Sequence, residues 1–157
     1  MDPLSITAGC VGIISTIAKT SASITHFVRD VRDSRRELSE TKQQLDELEM
    51  TLNLINDDHN RENGNLAKQM PDGIVYQTKL VLDSCRDILV ELDGLIVKYN
   101  SERRRAAFQW ARKGKDEVVA LNKQLEAHAR TLHMSLEFST LSVLISITLC
   151  LLRLVLG

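Results

Sequence analysis

Residues 1–30 read MDPLSITAGCVGIISTIAKTSASITHFVRD, and from Leu4 to Val28 the only formal charge is Lys19. Asp2-Pro3 marks a helix start. A carboxylate can cap free backbone N–H groups, and proline at the first helical position has no N–H left unsatisfied. Ile6, Cys10, Ile13, Ile17, Ile24 and Val31 recur at spacings of three, four and seven, so one face of this helix is oily. Ser5, Gly9, Gly12, Thr16 and Ser23 form a second face that is small rather than charged. A helix of this kind can be buried on nearly all sides of a bundle. With little change it can also enter a membrane.

Working outward, Ser34-Arg35-Arg36-Glu37 matches a capping box, which predicts a break near Arg32 to Ser34 and a second helix after it. A single continuous rod is the rival, because Ile24, Phe27 and Val31 lead into the next repeat in phase. Leu38, Thr41, Leu45, Leu48, Leu52 and Ile55 then alternate by three and four, with Arg35 and Arg36 ahead of them and Lys42, Asp46 and several Glu between them. Leu38, Leu45, Leu48, Leu52 and Ile55 are therefore a helix-binding face. It is either one seam of an intramolecular bundle or a coiled-coil surface for a partner. Asn56 to Asp72, with Asn63-Gly64-Asn65 and Pro71-Asp72-Gly73, reads as a solvated loop. His59 has neither EF-hand spacing nor a second histidine beside it, so no metal is expected there.

A third helix runs from about Ile74 to Tyr99, with Thr78, Val81, Cys85, Ile88, Leu92, Leu95 and Tyr99 on one stripe, widened by Leu82, Leu89 and Ile96. Asn100-Ser101 caps a fourth segment holding Arg103, Arg104, Arg105, Arg112, Lys113 and Lys115 beside Phe108 and Trp110. Such a basic patch either grips phosphate or anionic lipid, or simply complements a helix dipole. Asp116 opens a fifth helix with Val118, Leu121, Leu125, His128 and Leu132 inward. Phe138 to Leu152 then carries no charge, and Arg153 alone interrupts the run to Gly157. About twenty such residues meet the length needed to cross a bilayer. The alternatives are a very oily closing helix, or the interrupted continuation of a longer protein.

At 157 residues and a net charge of −1, the chain is one helical domain with no global pull towards nucleic acid. Cys10, Cys85 and Cys150 lie far apart in apolar runs, the pattern of buried free thiols in a reducing, cytoplasmic setting. No basic segment precedes the first apolar stretch, which argues against a secretory signal. Phosphate loops, nucleophile elbows, zinc-protease helices and close cysteine pairs do not occur in the sequence, so no enzyme, cofactor or small-molecule substrate is expected.

Three blocks together resemble a known family. They are Met1-Asp2-Pro3-Leu4-Ser5-Ile6-Thr7-Ala8-Gly9, then Thr25-His26-Phe27-Val28-Arg29-Asp30-Val31-Arg32, then Trp110-Ala111-Arg112-Lys113-Gly114-Lys115-Asp116-Glu117-Val118, followed by Leu121 and Leu125-Glu126-Ala127-His128. Over residues 1–136 the chain resembles the fungal N-terminal domain found at the front of STAND (NLR-like) proteins, also described as the N-terminal domain of an azaphilone pigment cluster protein. The resemblance implies a bundle distantly similar to the HeLo and HeLo-like cell-death domains, whose apolar first helix is released onto membranes when a receptor oligomerises. By that analogy Leu4, Ile6, Gly9, Cys10, Gly12, Ile13 and Ile17 would act in membrane contact and close helix packing. No NTPase or repeat region follows within the chain, and the segment from Phe138 departs from the family pattern.

The expectation is an all-α bundle of about five helices with a buried N-terminal helix, comprising residues 1–136, and a hydrophobic C-terminal segment, residues 137–157. Its function would be non-enzymatic signalling in NLR-like systems, through protein partners or self-association of helices and through membrane targeting. A soluble scaffold using the Leu38–Ile55 or Thr78–Tyr99 face, and a small tail-anchored membrane protein, are the alternatives.

Overall fold

Four long helices dominate the described residues, 3–31, 34–60, 71–101 and 106–156 of this computed structural model. They are α1 (Pro3–Asp30), α2 (Arg35–Asn60), α3 (Asp72–Ser101) and α5 (Lys115–Leu156). A short α4 (Ala106–Gln109) and a π-helical turn (Trp110–Gly114) lead directly into α5.

The break between the first two helices falls where the capping box places it, but the side chains make other bonds. The Ser34 hydroxyl donates to the Val31 carbonyl, and Glu37 turns to Lys115 instead of reaching back to the helix start. Pro3 opens α1 as expected, whereas Asp2 lies outside the described residues. Helix α2 runs on to Asn60, beyond the expected loop boundary at Asn56, and Asn63-Gly64-Asn65 also lie outside the described residues. Pro71 starts α3, its carbonyl accepting from the N–H groups of Ile74 and Val75. No break separates the fourth and fifth segments at Gly114. An extra residue is absorbed in the π turn and the helix continues.

Helix α1 packs on α2 and α3, and α5 packs on the same two, so α1 and α5 face each other across the bundle. Cross-helix pairs give the directions. Lys19 and Ser23 of α1 meet Asp93 of α3, while a Cβ at Gly9 would meet Leu82, so these two helices run parallel. Thr41 meets Asn122 and Thr51 meets His133, so α2 and α5 are parallel too. Tyr99 to Glu117 sets α3 antiparallel to α5.

The core takes Ile6, Cys10, Ile13, Ile17, Ile24 and Phe27 from α1 and Val31 just after it, with Leu38, Leu45, Leu48 and Leu52 from α2. Helix α3 adds Val81, Leu82, Cys85, Ile88, Leu89, Leu92, Ile96 and Tyr99, and α5 adds Val118, Leu121, Leu125 and Leu132. Each such side chain removed from water contributes about 1.5–3 kcal/mol. The oily face of α1 is thus buried as expected; on the small face Gly9, Thr16 and Ser23 are half-buried and Gly12 is exposed, while Ala8, Val11, Ser15, Ala18 and Ala22 make up the solvent side of the helix.

Two further expectations change. Cys150 is exposed, unlike Cys10 and Cys85. The interhelical histidine is His133, whose Nε2 lies 3.3 Å from the Thr51 hydroxyl, while the seam residue His128 is only half-buried.

Candidate functional site

Two surfaces at opposite ends of α5 could do more than hold the fold together. Past Ser139, still buried against the bundle, α5 leaves its neighbours. Ser142 and Val143 are half-buried, and the described residues from Leu144 on are exposed. Leu144, Ile145, Ile147, Leu149, Leu151, Leu152, Leu154 and Val155 all stand in the open. The most apolar eighteen-residue window of this helix is 6% buried. A core helix of comparable composition would be mostly covered. At 1.5 Å per residue, Phe138 to Leu156 extends about 28 Å, against about 30 Å of bilayer hydrocarbon.

The polar side chains of this arm suit the same setting. Ser139, Thr140 and Thr148 each donate their hydroxyl to the carbonyl four residues earlier, so these groups need no water. The apolar side chains occupy most of the circumference, and Ser142, Ser146 and Arg153 share the remaining narrow strip.

At the other end, Trp110 closes the bundle. Its ring lies 4.9 Å from Phe27 and stands edge-on to Tyr99 at 5.9 Å. Gly114 permits this closure, because a Cβ there would come within 2.7 Å of Trp110 Cε3 and 3.0 Å of Tyr99 Cε2. The Tyr99 hydroxyl donates to Glu117 at 2.9 Å, and burial together with that carboxylate pushes the phenol up to about 12. Lys115 Nζ sits 2.6 Å from Glu37 Oε1. That hydrogen bond, outweighing the burial of the carboxyl, holds Glu37 below the usual carboxylate range.

The basic patch therefore divides. Arg112 and Lys113 are exposed, as is Phe108, but Trp110 is buried and Lys115 is paired with Glu37. Arg103, Arg104 and Arg105 lie outside the described residues. Within α1, Ile6, Cys10, Ile13 and Ile17 point into the core, and the side chain of Leu4 is not among those described. Gly9 is half-buried with room for ordinary contact to Leu82, and Gly12 has nothing within 4 Å of where a Cβ would stand. Leu38, Leu45, Leu48 and Leu52 are fully covered by the bundle and Ile55 is half-buried, so this face is occupied inside the fold. Burial also raises the thiols of Cys10 and Cys85, to about 11 and about 12.

One grouping went unread in the sequence. Asp93 accepts from Ser23 at 2.9 Å and pairs with Lys19 at 3.0 Å, tying α1 to α3. The isolated Lys19 on an oily helix was its only signal. No cluster of three or more acidic, histidine or cysteine side chains that could hold a metal occurs among the described residues.

A family model described as the N-terminal region of a pigment biosynthesis cluster protein, PigL, matches residues 1–149. It runs past residue 136, where the resemblance read from the sequence stops, and well into the arm. Neither the curated proteins nor the solved structures contain a match. An all-helical bundle, the three sequence blocks in order and a match over nearly the whole chain lead to one conclusion: this chain belongs to the PigL N-terminal family, the HeLo-like fungal domain that stands at the front of STAND proteins.

Proposed function

We propose that this non-enzymatic domain is a signalling or effector module of the fungal NLR-like kind, acting by helix-mediated association and held at a membrane by the arm of α5. The observation that carries the membrane part is the exposed window of that helix, apolar around most of its circumference and 6% buried. Water is a poor solvent for such a surface. Each fully exposed Leu or Ile forgoes about 1.5–3 kcal/mol that hydrocarbon would return.

The resemblance assigns membrane contact to α1. In this fold the apolar stripe of α1 is part of the core, so α1 could reach a bilayer only after leaving α2 and α3. The arm needs no such release. It is therefore the resting contact, and α1 is at most a later one. Association with other proteins through the Leu38–Ile55 face would likewise require opening the bundle.

Vesicle flotation tests this reading. The full chain should float with vesicles of phosphatidylcholine and phosphatidylserine, and a Leu144→Lys, Leu151→Lys variant should stay in the aqueous fraction. Both positions are exposed, so the bundle should keep its helicity and melting behaviour. Equal flotation of the variant would remove the arm from the proposal. A wild-type chain that stays unbound and sediments as an oligomer would replace membrane contact with arm-to-arm association in water.

A further inference from the structure

The four long helices close into a ring in the order α1, α2, α5, α3. Of its four seams, that between α1 and α3 is the densest and that between α2 and α5 the sparsest, and the two lie opposite each other.

The sparse seam is also a polar one. Lys115 Nζ meets Glu37 Oε1 at 2.6 Å, Asn122 Nδ2 donates to the Thr41 hydroxyl at 2.8 Å, and His133 Nε2 lies 3.3 Å from the Thr51 hydroxyl. Glu37, Thr41, Thr51 and Asn122 are all buried. The pairing is incomplete. Glu37 Oε2, Gln44 Oε1 and Asn122 Oδ1 are shut away from water without a hydrogen-bond partner. The other orphaned atoms, on Thr20, Ser21, Thr78 and Trp110, are spread over α1, α3 and the π turn. A buried polar atom left unpaired loses its hydration for no return, and opening to water gives that loss back. An open groove runs along the same seam, lined by Gln44 and Glu47 of α2 and by Leu125 and Ala129 of α5. By contrast Asp93, the polar link between α1 and α3, has both Ser23 and Lys19 as partners, and Leu82 lies beside Gly9.

We infer that the bundle opens along the α2–α5 seam, with α1–α2 and α3–α5 swinging as two halves about an intact α1–α3 contact. This motion hydrates the orphaned atoms. It also uncovers Leu48 and Ile55, which continue the stripe of Thr41 and Thr51 on α2, and Leu125 on α5. Association through the Leu38–Ile55 face requires such an opening, and here α1 stays against α3 throughout. The arm takes no part in the motion, so flotation results do not bear on it.

Thiol reporters on the full chain in lipid-free buffer test this, in a Cys150→Ser background that removes the exposed thiol. Val118→Cys, buried one turn before Asn122, reads the seam from α5, and Leu48→Cys, also buried, reads it from α2. Cys10 on α1 and Cys85 on α3 are internal controls. With each rate divided by its value in denaturant, both seam reporters should react at least ~10-fold faster than the controls. Equal rates at all positions mean that the bundle opens only as a whole, and they overturn the seam. Leu82→Ala, at the α1–α3 contact, should speed Cys10 and Cys85 and leave the seam reporters unchanged, because that contact persists in the open form. Speeding of all positions alike overturns the hinge. Thr41→Val with Asn122→Leu replaces a polar pair by apolar groups of similar shape and should slow Val118→Cys about ten-fold. An unchanged or faster rate overturns the polar seam as the point of weakness.

Discussion

Helix α1 and the far half of α5 are both long, oily and nearly free of charge, yet one is sealed into the core and the other stands bare. Every third or fourth residue of α1 from Ile6 to Val31 meets α2 or α3, which run alongside it for its whole described length. The stretch of α5 beyond Val143 has no such neighbours, because the bundle ends there while the helix does not. Hydrophobicity alone therefore did not sort core from arm. The lengths of the neighbouring helices did. Patterning carries the same message in weaker form: α1 keeps its oily residues on one stripe, whereas the arm spreads them around most of the helix.

The sharpest way to break this comparison is through its cysteines. Cys10 on α1 and Cys85 on α3 are buried, with thiols raised to about 11 and about 12, while Cys150 on the arm is exposed. A thiol reagent at neutral pH should modify one cysteine of three at least ~100-fold faster than the other two, and all three in denaturant. Adding vesicles should protect Cys150 alone. Fast reaction at Cys10 in the native state would mean that α1 opens readily.

Paired truncations come next. Ile17→Ala removes a fully buried side chain and should cost about 2–5 kcal/mol in urea unfolding. Ile147→Ala, the same chemical change on the arm, should stay within about 0.5 kcal/mol in lipid-free buffer. Similar losses at both sites would show that the arm folds back onto something.

The closed end of the bundle offers a smaller effect of opposite steric sense. Gly114→Ala places a methyl 2.7 Å from Trp110 and should destabilise by about 1–3 kcal/mol, with a shift in tryptophan emission. Flotation should not change, because that end is remote from the arm.

Smallest is the acid response of the Glu37–Lys115 pair. Its carboxyl is held below its ordinary 4.5, so the folded state gains stability from ionised Glu37 above that pH. The gain is lost as pH falls through the lowered folded value. Glu37→Gln should flatten the acid limb of a stability-against-pH curve below about 4.5 and leave the arm's lipid binding untouched.

Much of this architecture was legible in the residues. The three-and-four spacing from Leu38 to Leu52 and from Thr78 to Tyr99 is the seam that the core uses, and Ser34 lies at the break between α1 and α2. The chargeless run from Phe138 announced an unusual segment by composition alone. Other features depend on partners that are remote in sequence. Trp110 looked available beside its arginines, but Phe27 and Tyr99 enclose it, and no local pattern encodes that contact. Gly12 looked like a close-packing residue, yet nothing lies within 4 Å of where its Cβ would stand. His128 held the seam position by periodicity, while the contact with α2 is made by His133, 3.3 Å from the Thr51 hydroxyl.

What the sequence determined by itself is the helical class, the oily stripes and the low charge of two segments, because these follow from periods of 3.6 and from side-chain chemistry within a few turns. Which of those segments would be covered was decided only by the tertiary structure. Burial depends on where other helices end, and α2 and α3 end before α5 does.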